Sequence, residues 1–210
     1  MKKNSTIEAV IFDMDGVFYN LDLNLRLKLI AETTGIDTAT INNLIWQSDF
    51  ESKAEQGFYT SGQSYLEAFN EILGTKISSH VWLNLRSACM TPIEGMLDLC
   101  RSLSKHYKVA LLTNNGMLVK DGLQQKLIAP DLFDIFKGNL YTSAELGARK
   151  PDRDVYLNIC KILKVSPHKA LMIDDKKENV IGAELAGLAG HHYQNTECLI
   201  AYLQSQNITC

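Results

Sequence analysis

The 210-residue chain reads as an α/β protein, a parallel sheet sandwiched by helices with a small helical bundle inserted after the first strand. Three observations predict it. Three short apolar runs, AVIFD (9–13), KVALLT (108–113) and KALMIDD (169–175), end in Asp or Thr and lead through Gly or Asn toward a helical pattern. That is the strand–helix rhythm of a parallel sheet covered on both faces. Stripes of apolar residues at helical spacing lie between and after the runs. About 90 residues without a clear strand separate the first two runs, whereas a parallel crossover needs only about a dozen. The excess is assigned to an insertion over 17–91, leaving 1–16 and 92–210 as the core.

The elements follow in order. Ala9 to Phe12 form a buried strand that stops at Asp13. LDLNLRLKL (21–29) alternates strictly, which locally argues strand, but a lone strand there has no partner, so it is read as mostly helix. SGQSYLEAFNEILG (61–74) and SSHVWLNLRSACM (78–90) carry helical patterns inside the insertion. Trp46, Phe50, Phe58 and Tyr59 read as the core of that bundle, with a substrate pocket as the other reading. GMLDLCRSLSKHY (95–107) is a helix by its stripe Met96, Leu97, Leu99, Cys100 and Leu103. After the 108–113 strand, a weaker strand candidate lies at 138–141. PDRDVYLNICKILKV (151–165) is a helix that opens with Pro151 at the first helical position. NVIGAELAGL (179–188) and TECLIAYLQSQ (196–206) are helices, with a weaker strand at GHHYQ (190–194).

Composition excludes several classes. Hydrophobic residues are 46% and charged residues 21%, ordinary for a globular chain. A net charge of -3 offers no pull toward nucleic acid or anionic lipid. No apolar run approaches the roughly 20 residues of a membrane span. The start, MKKNSTIEAVIFDMD, has only four apolar residues in a row before Asp13, against about 7–15 in a secretory signal. Five cysteines (Cys89, Cys100, Cys160, Cys198, Cys210) with no CxxC point to reduced thiols in a cytoplasmic protein. No long heptad or apolar patch selects between a monomer and a homodimer. The pair His191–His192 lacks a third ligand at a suitable spacing and reads as a surface pair.

The chemistry concentrates at strand ends. Asp13 and Asp15 stand two apart in an extended chain and face the same side. Two such charges about 4 Å apart cost roughly 4 kcal/mol at an effective dielectric of about 20. In parallel α/β sheets, ligands bind beyond the carboxyl ends of the strands. The three runs bring Asp13, Asp15, Thr113, Asp174 and Asp175 to that one edge. Four converging carboxylates call for a divalent cation, and an all-oxygen set without a Cys/His cluster favours magnesium over zinc. Taken singly, each motif has a plainer reading: TNNG is good turn chemistry, KPD starts a helix, and DDKKEN suits a solvated helix start.

Together, DMDGV, LLTNN, RKPD and MIDDKKENV resemble, in order and spacing, the four motifs of the haloacid dehalogenase superfamily of phosphotransferases. The resemblance implies a Rossmann-like core with a helical cap. It implies Asp13 as nucleophile forming an aspartyl-phosphate, and Asp15 as the acid–base residue. Thr113 and Asn114 would bind the phosphoryl group, and Lys150 would neutralise charge on it and on Asp13. Asp174, Asp13 and the backbone carbonyl of Asp15 would hold Mg2+, with Asp175 behind them and Gly16 allowing the turn. Asp15 argues against dehalogenation, because the dehalogenases lack that second carboxylate. The insertion resembles the cap of glucose-1-phosphate phosphatases and of the amino-terminal domain of soluble epoxide hydrolases. The function implied is a Mg-dependent phosphatase for a small phosphorylated metabolite, sugar phosphates included. The alternatives are a phosphomutase of the β-phosphoglucomutase type and a catalytically silent regulator that binds a phosphorylated ligand. The regulator would be expected to lack Asp13 or Lys150.

Overall fold

The computed structural model describes residues 7–209; residues 1–6 of the amino-terminal stretch, and Cys210, lie outside the described residues. The chain runs β1 (Ala9–Phe12), β2 (Tyr19–Leu21), α1 (Leu23–Thr34), α2 (Thr38–Ile41), α3 (Phe50–Glu55), α4 (Gly62–Leu73), α5 (Ser79–Ala88) and β3 (Met90–Pro92). It continues with α6 (Met96–Leu103), β4 (Lys108–Thr113), α7 (Met117–Gln124), α8 (Pro130–Phe136), β5 (Leu140–Thr142) and α9 (Ser143–Leu146). It closes with α10 (Arg153–Leu163), β6 (Ala170–Asp174), α11 (Lys177–Leu185), β7 (Ala189–His192) and α12 (Thr196–Ser205).

The main sheet has the order β5-β4-β1-β6-β7 and is parallel throughout. Phe12 stands in register with Leu111 of β4 and Ile173 of β6, so the three predicted strands end within two residues of one another. The chain fills one side of β1 with β4 and β5, then crosses to the other side for β6 and β7. That reversal opens a crevice at the carboxyl end of β1, where ligands of such sheets bind.

Alternation along the strands builds two core layers. Val10, Phe12, Leu111 and Ile173 face α6, α8 and α12 through Leu99, Phe136 and Leu199. Ala9, Ile11, Ala110 and Met172 face α10 and α11 through Val155, Ile159 and Ala183. No helix among the described residues is long and apolar enough to cross a membrane.

The 21–29 stretch resolves as the sequence reading expected for most of its length. Asp22 accepts a hydrogen bond from the Leu25 N–H and starts α1, whose buried positions are Arg26 and Ile30, one helical turn apart. The expectation of no strand in the insertion is corrected at its two ends. Tyr19–Leu21 pairs antiparallel with Met90–Pro92, tying the entry and exit of the helical segment together. Strands of three residues carry too little periodicity to show in a sequence. Pro151 is corrected as well: the helix starts at Arg153 after Asp152, so the proline precedes the first turn. Among the aromatic residues of the insertion, Phe50 is buried and meets the rings of Tyr59, Tyr65 and Phe69. Phe58, read as core, is instead 68% exposed.

Candidate active site

The end of β1 places Asp13 between β4 and β6, with its backbone N–H donating to the Ile173 carbonyl. Its Oδ1 accepts from the Met14 N–H at 2.7 Å and lies 2.9 Å from Lys150 Nζ. Lys150 is fully buried, and its ammonium also donates to Asp174 Oδ2 at 2.6 Å and to the Leu112 carbonyl at 2.8 Å. Three N–H donors thus meet three acceptors. The other oxygen of Asp174, Oδ1, accepts from the Lys176 N–H and from Asn179 Nδ2, each at 2.9 Å. Burial pushes the Asp13 carboxyl up to about 7; Lys150 opposes that rise and Asp174 adds to it. Burial alone would lower the Lys150 ammonium, but Asp13 and Asp174 outweigh it and hold it above its ordinary value.

Asp13, Asp174 and Asp175 each offer an oxygen, and these lie within 4.8 Å of one another. Lys150 is the cation bonded into this group, so three carboxylates face one ammonium. The excess negative charge and the all-oxygen donor set fit a hard divalent ion. Asp175 therefore stands among the grouped carboxylates rather than behind them. Gly16 makes that possible. It has φ +82, and a Cβ there would lie 2.3 Å from Asp175 Oδ2.

Asp15 turns away from this group. Both of its oxygens lie 2.7 Å from Arg86 Nη2 on α5, 71 residues further along the chain. Asn115 Nδ2 donates to Thr113 Oγ1 at 2.8 Å and reaches Asp15 Oδ2 at 3.5 Å. Asn114 stands three residues before the helix start that the sequence reading expected for it. Helix α7 begins only at Met117. The Asn114 side chain is engaged with the Lys150 backbone: Nδ2 donates to its carbonyl at 2.8 Å and Oδ1 accepts from its N–H at 2.9 Å. This residue holds the lysine in place. The histidine pair splits: exposed His192 lies 2.9 Å from the Asp175 carbonyl, while His191, expected at the surface, is half-buried and stacks on Tyr202.

Sequence reasoning missed Arg86, Asn115 and Asn179. Arg86 left one signal: it shares the buried side of α5 with Trp82 and Leu83, where a charge is out of pattern.

The family model described as haloacid dehalogenase-like hydrolase matches residues 7–187. The chain belongs to the haloacid dehalogenase-like hydrolases. It is 30% identical to "Phosphatase MT3486" of Mycobacterium tuberculosis (strain CDC 1551 / Oshkosh), over 89% of this chain and 87% of that one. It is 28% identical to "Sesquiterpene phosphatase astK" of Aspergillus oryzae, over 90% of each chain. A crystal structure of the HAD family enzyme bt-2542 from Bacteroides thetaiotaomicron, in complex with magnesium and inorganic phosphate, superposes with a TM-score of 0.73. It is 19% identical and covers 90% of this chain and 95% of that one. With curated phosphatases related to it over most of its length, this member of the haloacid dehalogenase-like hydrolases is a phosphatase.

In this hydrolase a cavity of about 400 Å³ opens over the carboxylates, between the sheet edge and the helical segment. Its lining includes Asp13, Asp15, Thr113 and Asp175 from the core side, with Leu23 and Glu55 opposite. Trp46, Phe50, Phe58 and Tyr59 take no part in it. At its rim Arg149 Nη2 lies 2.9 Å from Glu55 Oε2, and Nη1 donates to Ser52 Oγ at 3.1 Å. These contacts join α3 to the loop that carries Lys150. Burial raises the Glu55 carboxyl to about 7, against the pull of Arg149.

Proposed function

We propose that this phosphatase is a Mg-dependent phosphomonoesterase that acts on a small phosphorylated metabolite through an aspartyl-phosphate on Asp13. The observation that carries the reading is the buried Asp13–Lys150–Asp174 chain of contacts at the sheet's switch point, with Asp175 beside it and Asp15 held apart. The two carboxylates of DMD have separate surroundings, which suits separate tasks.

In this reading Asp13 attacks phosphorus, a bond forms from its carboxylate oxygen, and the bond to the ester oxygen breaks. Asp15 gives the departing oxygen its proton. Water then attacks the aspartyl-phosphate, Asp15 takes back a proton, and the bond from phosphorus to Asp13 breaks to release phosphate. Thr113 binds phosphoryl oxygens, and Lys150 holds Asp13 oriented and offsets its charge. Asp13, Asp174 and Asp175, with the backbone carbonyl of Asp15 that the resemblance adds, are the groups that would hold Mg2+. A magnesium ion there supplies further neutralisation of the phosphoryl charge. The segment 17–91 serves as a cap over the cavity, with Leu23 and Glu55 among the groups that meet the substrate's remainder.

The test is a panel of phosphorylated metabolites, including sugar and polyol phosphates, assayed with and without magnesium. Asp13→Asn is expected to abolish turnover of any substrate found while keeping the fold, measured by circular dichroism. Residual activity above about one per cent of wild type would refute Asp13 as the nucleophile.

A further inference from the structure

We propose that Arg86, supplied by the helical segment, is the positioning residue of Asp15, so that seating of this segment sets the geometry of acid–base transfer. The inference rests on the reading of Asp15 given above. Arg86 is 1% exposed and directs one nitrogen, Nη2, at both carboxylate oxygens of Asp15 at 2.7 Å. Its Nε and Nη1 are buried without hydrogen-bond partners. A guanidinium that served packing alone would be expected either to satisfy those donors or to give way to an apolar side chain.

The surroundings sharpen the point. Arg26, a second buried arginine, sits 5.0 Å from the Trp46 ring and 4.7 Å from the Trp82 ring, and its positive charge is repelled by that of Arg86. Two like charges gathered in one small bundle work against the bundle's own stability. The ion pair that Arg86 makes is with Asp15. The core side approaches Asp15 through Asn115 Nδ2, at 3.5 Å. Asp15 thus lies between a strong contact from the insertion and a weak one from the sheet edge.

Connectivity makes the contact responsive. Helix α5 runs into β3, which pairs with β2, and β2 begins at Tyr19, bridged to Asp15 itself. Any displacement of the helical segment about β2 and β3 carries Arg86 relative to Asp15. Arg86 is not among the residues that line the cavity over the carboxylates. It orients the carboxyl that delivers a proton to the leaving oxygen as the ester bond breaks.

The test uses the full chain and a series of aryl phosphates running from 4-nitrophenyl to unsubstituted phenyl phosphate. The value of kcat/KM reports the step in which the leaving group departs, and poor leaving groups need the proton most. Arg86→Met is expected to lower kcat/KM for phenyl phosphate about tenfold more than for 4-nitrophenyl phosphate. KM should change little. Arg86→Lys, which keeps a cation, should show the same selective loss to a smaller degree, and it remains informative if Arg86→Met folds poorly. Asp15→Asn, the reference, should show the same selective loss or a larger one. Equal losses across the series in both Arg86 variants, while Asp15→Asn is selective, would leave Arg86 a structural contact and overturn the proposal. An unselective Asp15→Asn would overturn the acid–base reading of Asp15 and the proposal with it.

Discussion

Replacing Gly16 by alanine separates backbone strain from the arrangement of the carboxylates. Gly16 lies at φ +82, a region that costs a residue with a Cβ roughly 1–2 kcal/mol. For a chain of this size that corresponds to a fall in Tm of about 2–8 °C. The second effect is steric. The new Cβ would stand 2.3 Å from Asp175 Oδ2 and 2.4 Å from its Cγ, whereas real contacts stay beyond 3.0 Å. Asp175 must therefore shift by at least about 0.7 Å from its place beside Asp13 and Asp174. Displacements near 1 Å at a reacting centre cost up to about a hundredfold in rate. Gly16→Ala is thus expected to lower kcat between about tenfold and a hundredfold and to raise the magnesium concentration needed for half activity. Gly35→Ala is the control: it has φ +74, and its added Cβ meets nothing within 4 Å. It should lose similar stability and keep wild-type kinetics. The assay is a magnesium titration of phosphatase activity beside thermal melts of both variants. If Gly16→Ala keeps wild-type kcat and magnesium response with the same loss of Tm as Gly35→Ala, the position of Asp175 does not matter to the reaction.

The remaining expectations concern protons and the lysine. Burial raises Asp13 to about 7, so at limiting magnesium activity should fall as pH drops through about 7, where the attacking carboxylate takes up a proton. Saturating magnesium competes with that proton and should move the limb to lower pH; pH–rate profiles at two magnesium concentrations that coincide would refute the assignment. The folded-state value of Glu55, raised to about 7 by burial, exceeds its ordinary 4.5. Its contribution to stability is therefore complete below about 4.5 and is lost as pH rises through about 7. Glu55→Gln should flatten the decline of Tm between about pH 4.5 and 7, and an unchanged slope in thermal melts would count against the shift. Asn114→Ala removes two hydrogen bonds to the Lys150 backbone and should cost about 1–3 kcal/mol in denaturant unfolding, with a fall in kcat as the ammonium loses its place. Unaltered kcat would show that Lys150 is held without Asn114.

Local chemistry by itself determined much of this protein. Unbroken apolar runs before Asp13, at 108–113 and before Asp174 can be satisfied only inside a sheet covered on both faces, so their strands and parallel pairing were legible. Placing Asp13 and Asp174 at one edge followed from the same rule, since each lies at a strand end, whereas Lys150 was placed there by the resemblance of RKPD to a family motif. The strand candidates at 138–141 and 190–194 emerged one or two residues displaced, because short edge strands have weak patterns. Tertiary structure alone decided the partners. Arg86 meets Asp15 across 71 residues, and Asn114 meets Lys150 across 36, distances over which no local pattern carries information. Asp174 and Asp175 are neighbours with the same side chain. What separates them is surroundings: Asp174 is tied to Lys150 and Asn179, while Asp175 fills the space that Gly16 leaves open. Residue types announced that charge would gather at the sheet edge. Which charge faces which depends on the packing of the helical segment against that edge, a contact between distant parts of the chain.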